Sequence, residues 1–384
     1  MADGFVLEIP EMVDIVPPPL RKPQTGKPWP AGTIIVSADS HFMERDFWVD
    51  RYPPDLRRYA PRMQFVDGGW SLTIDGKDMY PNGKGAALCD AFECVPGFQN
   101  IAARLADLDA EGVDKELLFP QRVMGLYRGG DLDFREHLFN GYNEGMAEVC
   151  AEAPSRLFFV AIPNYWDPPQ AKASVEKAKA LGARGLMIPI DGRKGADGEQ
   201  IYYNHPKMDP LWAAIEASGL PLCFHIGENL VASQLPGGIC LSSLVSMQGF
   251  RQSWGALTFG GVFDRFPKLK VVFVEGGISW VASMLHDADM LANAFPTLIS
   301  PKLKHAPSWY WANHCYATFM TDPVGLESLH RIGPQTVMWS SDYPHAESTF
   351  GYTRSSIQAV FDATDEENAK DILGRTALKL FNME

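Results

Sequence analysis

From about residue 33 onward the chain is built of short, almost uninterrupted apolar blocks separated by longer segments with a helical period. The blocks are TIIVSAD (33–39), KELLFPQ (115–121), LFFVAIP (157–163), ARGLMIPI (183–190), LPLCFHI (220–226), LKVVFVE (269–275), CYATFMT (315–321) and TVMWSSD (336–342), eight in all. Apolar residues at consecutive rather than alternate positions suit strands that are covered on both faces. Residues 100–111, 131–153, 167–181, 209–218, 241–264, 278–295, 323–331 and about 352–381 read as helices between and after them. The helix at 209–218 is marked at both ends: Asp209 is placed to cap it, Pro210 suits its first turn, and Gly219 stands where a left-handed residue ends a helix. Strand and helix alternating eight times predict the α/β class, as a single (β/α)8 TIM barrel.

Two stretches fall outside the alternation. Residues 1–32 carry Pro10, Pro17, Pro18, Pro19, Pro23, Pro28 and Pro30. Such a segment forms neither a regular helix nor a central strand and reads as an extended arm that reaches a neighbouring subunit in a homodimer. Residues 33–384 then form the barrel, interrupted at 46–99, where RMQFVDGGWSLTIDGKDM reads as a hairpin with an Asp-Gly-Gly turn. The insertion follows the first strand, so it lies over the face of the barrel where active sites form and is a candidate lid or pocket wall.

Composition narrows the function. A chain of 384 residues with 46% hydrophobic and 21% charged residues can bury a large core. The net charge of −13, with no run of Lys or Arg to offset it, argues against nucleic acid and anionic membranes as partners and favours a small-molecule substrate or protein partners. The acidic start MADGFVLEIPEMVDIV has neither the basic residues nor the apolar stretch of a secretion signal, so a cytoplasmic location is expected. Cys89, Cys94, Cys150, Cys223, Cys240 and Cys315 form no CxxC pair, which argues against a disulfide framework or a zinc ribbon.

The chemistry is concentrated where strands end. Four of the eight blocks run into polar residues: ADSHFME, FHIGE, VEGG and SSDYPH. In a closed parallel barrel every such end faces one mouth, so residues distant in sequence meet in one pocket. Asp39 and His41, two apart on a strand, share a face. His225 after LPLCF and Asp342 after VMWSS would be costly to bury without a cation or several hydrogen bonds. Together they predict a divalent-metal site.

These segments also resemble the amidohydrolase superfamily, in its amidohydrolase-2 branch with the aminocarboxymuconate semialdehyde and resorcylate decarboxylases. The resemblance rests on ADSHFME, on HPKMDPLW with PLCFHIG, on FPKLKVVFVEGGISW and on MWSSDYPHAEST. It implies one divalent ion, zinc, manganese or iron, held by Asp39, His41, His225 and Asp342, with Glu44 nearby as a further ligand. It also exposes a departure, because the branch commonly places a histidine on the sixth strand where this chain has Glu275.

Glu275 is therefore a candidate ligand, a bridge toward a second ion, or a base acting on bound water. His345, three residues beyond Asp342, is placed to transfer a proton, and Arg122, after the second strand, to hold a substrate carboxylate. The resemblance implies hydrolysis or decarboxylation of a small carboxylated or aromatic molecule, with Glu275, Asp342 and His345 as the catalytic candidates. Two other readings use the same residues. Two histidines and a carboxylate also make the ligand set of non-heme iron oxygenases, with one iron or two, and a barrel of this kind can bind a ligand without turning it over.

Overall fold

The computed structural model describes residues 22, 24–44, 48–66, 69–78, 95–128, 132–227 and 249–384, with 238, 241 and 244–245. Eight parallel strands form one sheet, in the order β1 (Val36–His41), β5 (Lys115–Phe119), β6 (Leu157–Ala161), β7 (Gly185–Met187), β8 (Leu222–His225), β9 (Val271–Val274), β10 (Cys315–Phe319) and β11 (Val337–Trp339). Each falls within or overlaps one of the eight apolar blocks. The first runs two residues further than TIIVSAD and takes in His41.

The barrel closes between its first and last strands just above β11. The Asp342 amide donates to the Asp39 carbonyl at 2.9 Å, and the His41 amide to the Tyr343 carbonyl at 2.8 Å. Below them the hydroxyls of Ser37, Ser40 and Ser341 bond one another at 3.0–3.2 Å, and the Ser341 amide donates to Ser37 Oγ at 2.8 Å. Small hydroxyl side chains thus stitch the seam that carries the candidate ligands. At the far end, a Cβ on Gly374 would collide with the backbone carbonyl of Ile34, so only glycine lets the C-terminal segment close over the start of β1.

The helices stand close to where the pattern places them, at Ile101–Glu111, Leu132–Ala151, Ala171–Ala180, Asp209–Ser218, Gly249–Phe259, Val262–Arg265, Ser279–Ala294, Pro323–Glu327, Leu329–Ile332 and Thr353–Ala363. Asp209 is a first-turn residue and not the cap. A 3-10 turn over Pro206–Met208 precedes it and is capped by His205 Nδ1, which accepts from the Lys207 amide. Gly219 does take the left-handed conformation, at φ 73°. The helix Pro307–His314 has no counterpart in the predicted set. It supplies Trp311, which stacks on Phe273 of β9 at 5.8 Å. Trp254 and Trp311 are core residues, whereas Trp309 is 41% exposed and stacks on His305.

The insertion holds a small antiparallel sheet of β2 (Arg62–Val66), β3 (Gly69–Ile74) and β4 (Lys77–Asp78). It has one strand more than a hairpin, added through a turn at Asp75 and Gly76, both of positive φ. Asp67 and Gly68 of the predicted turn, most of residues 1–23, and Cys89, Cys94 and Cys240 lie outside the described residues. Cys150, Cys223 and Cys315 are buried free thiols. No helix among the described residues is long and apolar enough to cross a membrane.

Candidate active site

At the mouth, the ends of β1, β8, β9 and β11 bring Asp39, His41, His225, Glu275 and Asp342 together, all buried. A register shift between Ser37 and Ser40 in the pairing of β1 with β5 breaks the regular ladder beside Asp39. Such irregularities re-aim side chains at barrel rims. Glu275 and Asp342 have φ of 70° and 54°, in the left-handed region that residues other than glycine rarely occupy. Strain of this kind collects at functional sites, and here it falls on both carboxylates that follow a strand.

The imidazoles are oriented from behind. His41 Nδ1 lies 3.1 Å from the Pro120 carbonyl, which can only accept, so Nδ1 carries the hydrogen and Nε2 presents its lone pair to the cluster. That Nε2 is 3.7 Å from Asp39 Oδ1 and 3.3 Å from Asp342 Oδ1. His225 Nδ1 faces the Ile226 carbonyl at 2.6 Å and Glu275 Oε2 at 3.3 Å, which turns Nε2 toward Asp39 Oδ1 at 3.2 Å. His345 stacks on His41 with ring centroids 4.2 Å apart. Its Nδ1 is 3.0 Å from Asp342 Oδ2 and its Nε2 2.8 Å from Gln121 Oε1.

Among the described residues, three buried atoms in this cluster have no hydrogen-bond partner: Asp39 Oδ2, His41 Nε2 and Asp342 Oδ1. Donor atoms of Asp39, His41, His225 and Glu275 lie within 4.8 Å of one another, as do those of His41, Asp342 and His345, and those of Glu275, Asp342, His345 and Glu347. Imidazole nitrogens and carboxylate oxygens at such spacing form a donor set that fits a divalent ion such as zinc, manganese or iron. Among the described residues, the ion-pair partners of Asp39, Glu275 and Asp342 are histidines.

The electrostatics show crowded like charge. Burial, followed by the charges of Asp342 and Asp39, pushes the Glu275 carboxyl well above its ordinary range. Burial and the neighbouring His345 drive the His41 imidazole well below its ordinary value, favouring the neutral form that a ligand needs. Burial pulls His345 down, but the Asp342 charge and hydrogen bond outweigh it and raise it to about 9.

The sequence model of the amidohydrolase family matches residues 95–383, three quarters of the chain. The chain belongs to the amidohydrolase family. A 2-amino-3-carboxymuconate-6-semialdehyde decarboxylase of Dictyostelium discoideum is 26% identical over 73% of this chain and 76% of its own length. A gamma-resorcylate decarboxylase of a Polaromonas species is 25% identical over 56% of this chain and 69% of its own. Among solved structures, an amidohydrolase of Mycobacterium avium subsp. paratuberculosis superposes with a TM-score of 0.76 at 20% identity, covering 92% of this chain and all of that one. A 5-carboxyvanillate decarboxylase of Novosphingobium aromaticivorans, complexed with manganese and a nitrobenzoic acid, superposes at 0.65 with 18% identity, over 91% of this chain and 96% of its own. These structures share the barrel fold of this amidohydrolase.

Within this amidohydrolase, Glu44 does not join the cluster among the described residues. Its carboxylate accepts the amides of Gln121 at 2.7 Å, Arg122 at 2.9 Å and Val123 at 3.2 Å, so it shapes the loop after β5. Burial raises its carboxyl while those amides pull it down. Arg122 is buried in that loop at the mouth.

Sequence reasoning missed Gln121, the partner of His345, although it directly ends the block KELLFPQ. It also missed Arg104, wholly buried, which bonds Glu116 of β5 through two nitrogens at 2.6 and 3.2 Å and donates to the His41 carbonyl at 2.8 Å. Helical spacing pointed to it, because Ile101, Arg104 and Leu108 lie on one buried face.

Proposed function

We propose that this amidohydrolase decarboxylates a small aromatic acid at a divalent cation held by Asp39, His41, His225 and Asp342. The observation that carries the reading is the trio of buried, unpartnered donor atoms on Asp39, His41 and Asp342, converging from strands that only a closed barrel brings together. The relatives' names, decarboxylases of a carboxymuconate semialdehyde and of gamma-resorcylate, favour carbon–carbon cleavage over hydrolysis. Manganese in three of the similar structures makes it the first ion to test.

When bound, the cation would supply Lewis acidity toward the substrate's oxygens. The protein does the rest. Asp342 divides its carboxylate: Oδ1 faces His41 and the cluster, and Oδ2 faces His345 Nδ1. His225 Nδ1 donates to the Ile226 carbonyl, with Glu275 Oε2 beside it, and this keeps His225 Nε2 aimed at the cluster.

His345 stands between two acceptors, Asp342 Oδ2 and Gln121 Oε1, an environment that keeps a proton on each ring nitrogen. As the bond to the carboxyl carbon breaks and carbon dioxide leaves, its electron pair stays on the ring carbon. That carbon then takes a proton from His345, which solvent restores. Overall, one carboxylate and one proton become one carbon–hydrogen bond and carbon dioxide.

The partner this site fits is a small molecule. A homodimer, which rests on the Pro-rich sequence of residues 1–32, and a cytoplasmic location belong to the same proposal. The test is carbon dioxide release from a panel of hydroxylated aromatic acids by manganese-loaded protein, in air and under nitrogen. Equal release in both supports the reading, and turnover that requires oxygen would move the chain to the oxygenase class.

A further inference from the structure

Residues 340–352 form the irregular loop after β11, which carries both Asp342 and His345. Asp342 stands there at φ 54°, a backbone conformation that its residue type disfavours, so the surroundings of the loop must hold it in place. The loop's own bonds are local: the His345 amide donates to the Asp342 carbonyl at 3.0 Å, and the Ser348 amide to the His345 carbonyl at 3.1 Å. Longer reach comes from the helix Ile101–Glu111, which lies between β1 and β5 in the chain.

That helix turns Arg104, Asp107 and Glu111 to one side, as residues three and four apart on a helix do. Arg104 donates to the His41 carbonyl at 2.8 Å and lies over the Tyr343 ring, 4.8 Å from its centroid. Asp107 Oδ2 accepts from Tyr343 Oη, on the residue that follows Asp342. Glu111 Oε2 accepts the Gly351 amide at 2.9 Å. One helix face therefore grips the end of β1, the residue beside Asp342 and the far end of the loop. The fit is close. A Cβ at Gly97 would strike both Tyr343 Oη and the Asp107 carboxylate, so glycine there leaves room for their bond. The cavity left between helix and loop, lined by Asp107, Glu111, Tyr343 and Phe350 among others, is about 10 Å³ and has room for no more than one water.

We propose that Asp107 and Tyr343 are positioning residues for the candidate metal site. Their bond fixes the backbone at Asp342, and with it the division of that carboxylate between the ligand cluster and His345. The proposal rests on the reading of Asp342 as a metal ligand. Both residues act through Asp342 rather than on the ion, as the outer partners of a metal ligand do.

Calorimetric titration of metal-free full-length protein with manganese tests this. Wild type is compared with Tyr343→Phe, Asp107→Ala, their double variant, Asp107→Asn and Tyr310→Phe. Tyr310 is the matched control: it makes the same kind of bond, to Asp264 Oδ1 at 2.7 Å, from the helix that leads into the start of β10 at the opposite end of the barrel. Tyr343→Phe and Asp107→Ala should each weaken manganese binding about 10–100-fold. The double variant should bind no more weakly than the worse of the two, because both remove one bond. Asp107→Asn keeps an acceptor oxygen and should recover most of the affinity. Tyr310→Phe should lower Tm yet bind manganese as wild type does. Tyr343→Phe keeps the ring beneath Arg104, and it decides the matter if Asp107→Ala does not fold. Wild-type affinity in Tyr343→Phe, additive losses in the double variant, or an equal loss in Tyr310→Phe overturns the proposal while the metal reading stands. Wild-type protein that takes up no manganese overturns both.

Discussion

His345 Nδ1 lies 3.0 Å from Asp342 Oδ2, while the other oxygen of that same carboxylate faces His41 Nε2 at 3.3 Å. One side chain therefore couples the proton carrier to the ligand cluster, and the two functions should separate on mutation. His345→Asn should lower kcat by roughly 10²–10⁴ while manganese content stays at the wild-type level. Asp342→Asn should lower both. Metal analysis beside steady-state kinetics checks this, and loss of metal in His345→Asn would contradict the assignment.

The second prediction concerns the cation's hold on the fold. A ligand that binds only the native state stabilises it by about 2.7 kcal/mol at a hundred times its dissociation constant. Thermal melting with manganese and then with a chelator should show a clear drop in Tm for wild type. His225→Ala should melt at the same temperature under both conditions.

Arg104 and Glu116 are both fully buried, and the guanidinium also lies 4.8 Å from the Tyr343 ring centroid. Removing one partner of such a pair costs about 3–5 kcal/mol, because the other charge is left buried and uncompensated. Arg104→Met and Glu116→Leu should each destabilise by about that amount, and the double variant by clearly less than their sum. Denaturant unfolding of the three variants measures the difference. Additive losses would show that the pair is not coupled.

Gly374 gives a test far from the chemistry. Gly374→Ala pushes a methyl group into the Ile34 carbonyl and should cost about 1–3 kcal/mol, read as a shift in the denaturant midpoint. Manganese affinity of the folded variant should be unchanged.

Much of the molecule is legible before any coordinates. Strands covered on both faces announce themselves as consecutive apolar residues, and Asp39, His41, His225 and Asp342 stand out because each ends or follows such a block. What could not be read is how backbone amides are used. Glu44 looks like a ligand beside ADSH, yet three amides of the loop after β5 occupy it, and nothing local to Glu44 encodes a contact with residues 121–123. The same holds for the left-handed backbone at Glu275 and Asp342, which neither residue type predicts. The helix Pro307–His314 was hidden because aromatic residues crowd a sequence that looks like a connection.

The account depends most on a cation at the meeting point of β1, β8 and β11. Crystals grown with manganese, with anomalous diffraction recorded at its absorption edge, test that directly. A peak in contact with Asp39, His41, His225 and Asp342 is the predicted result. Its absence from that position at saturating manganese, or a peak bound elsewhere by other residues, would contradict the central claim.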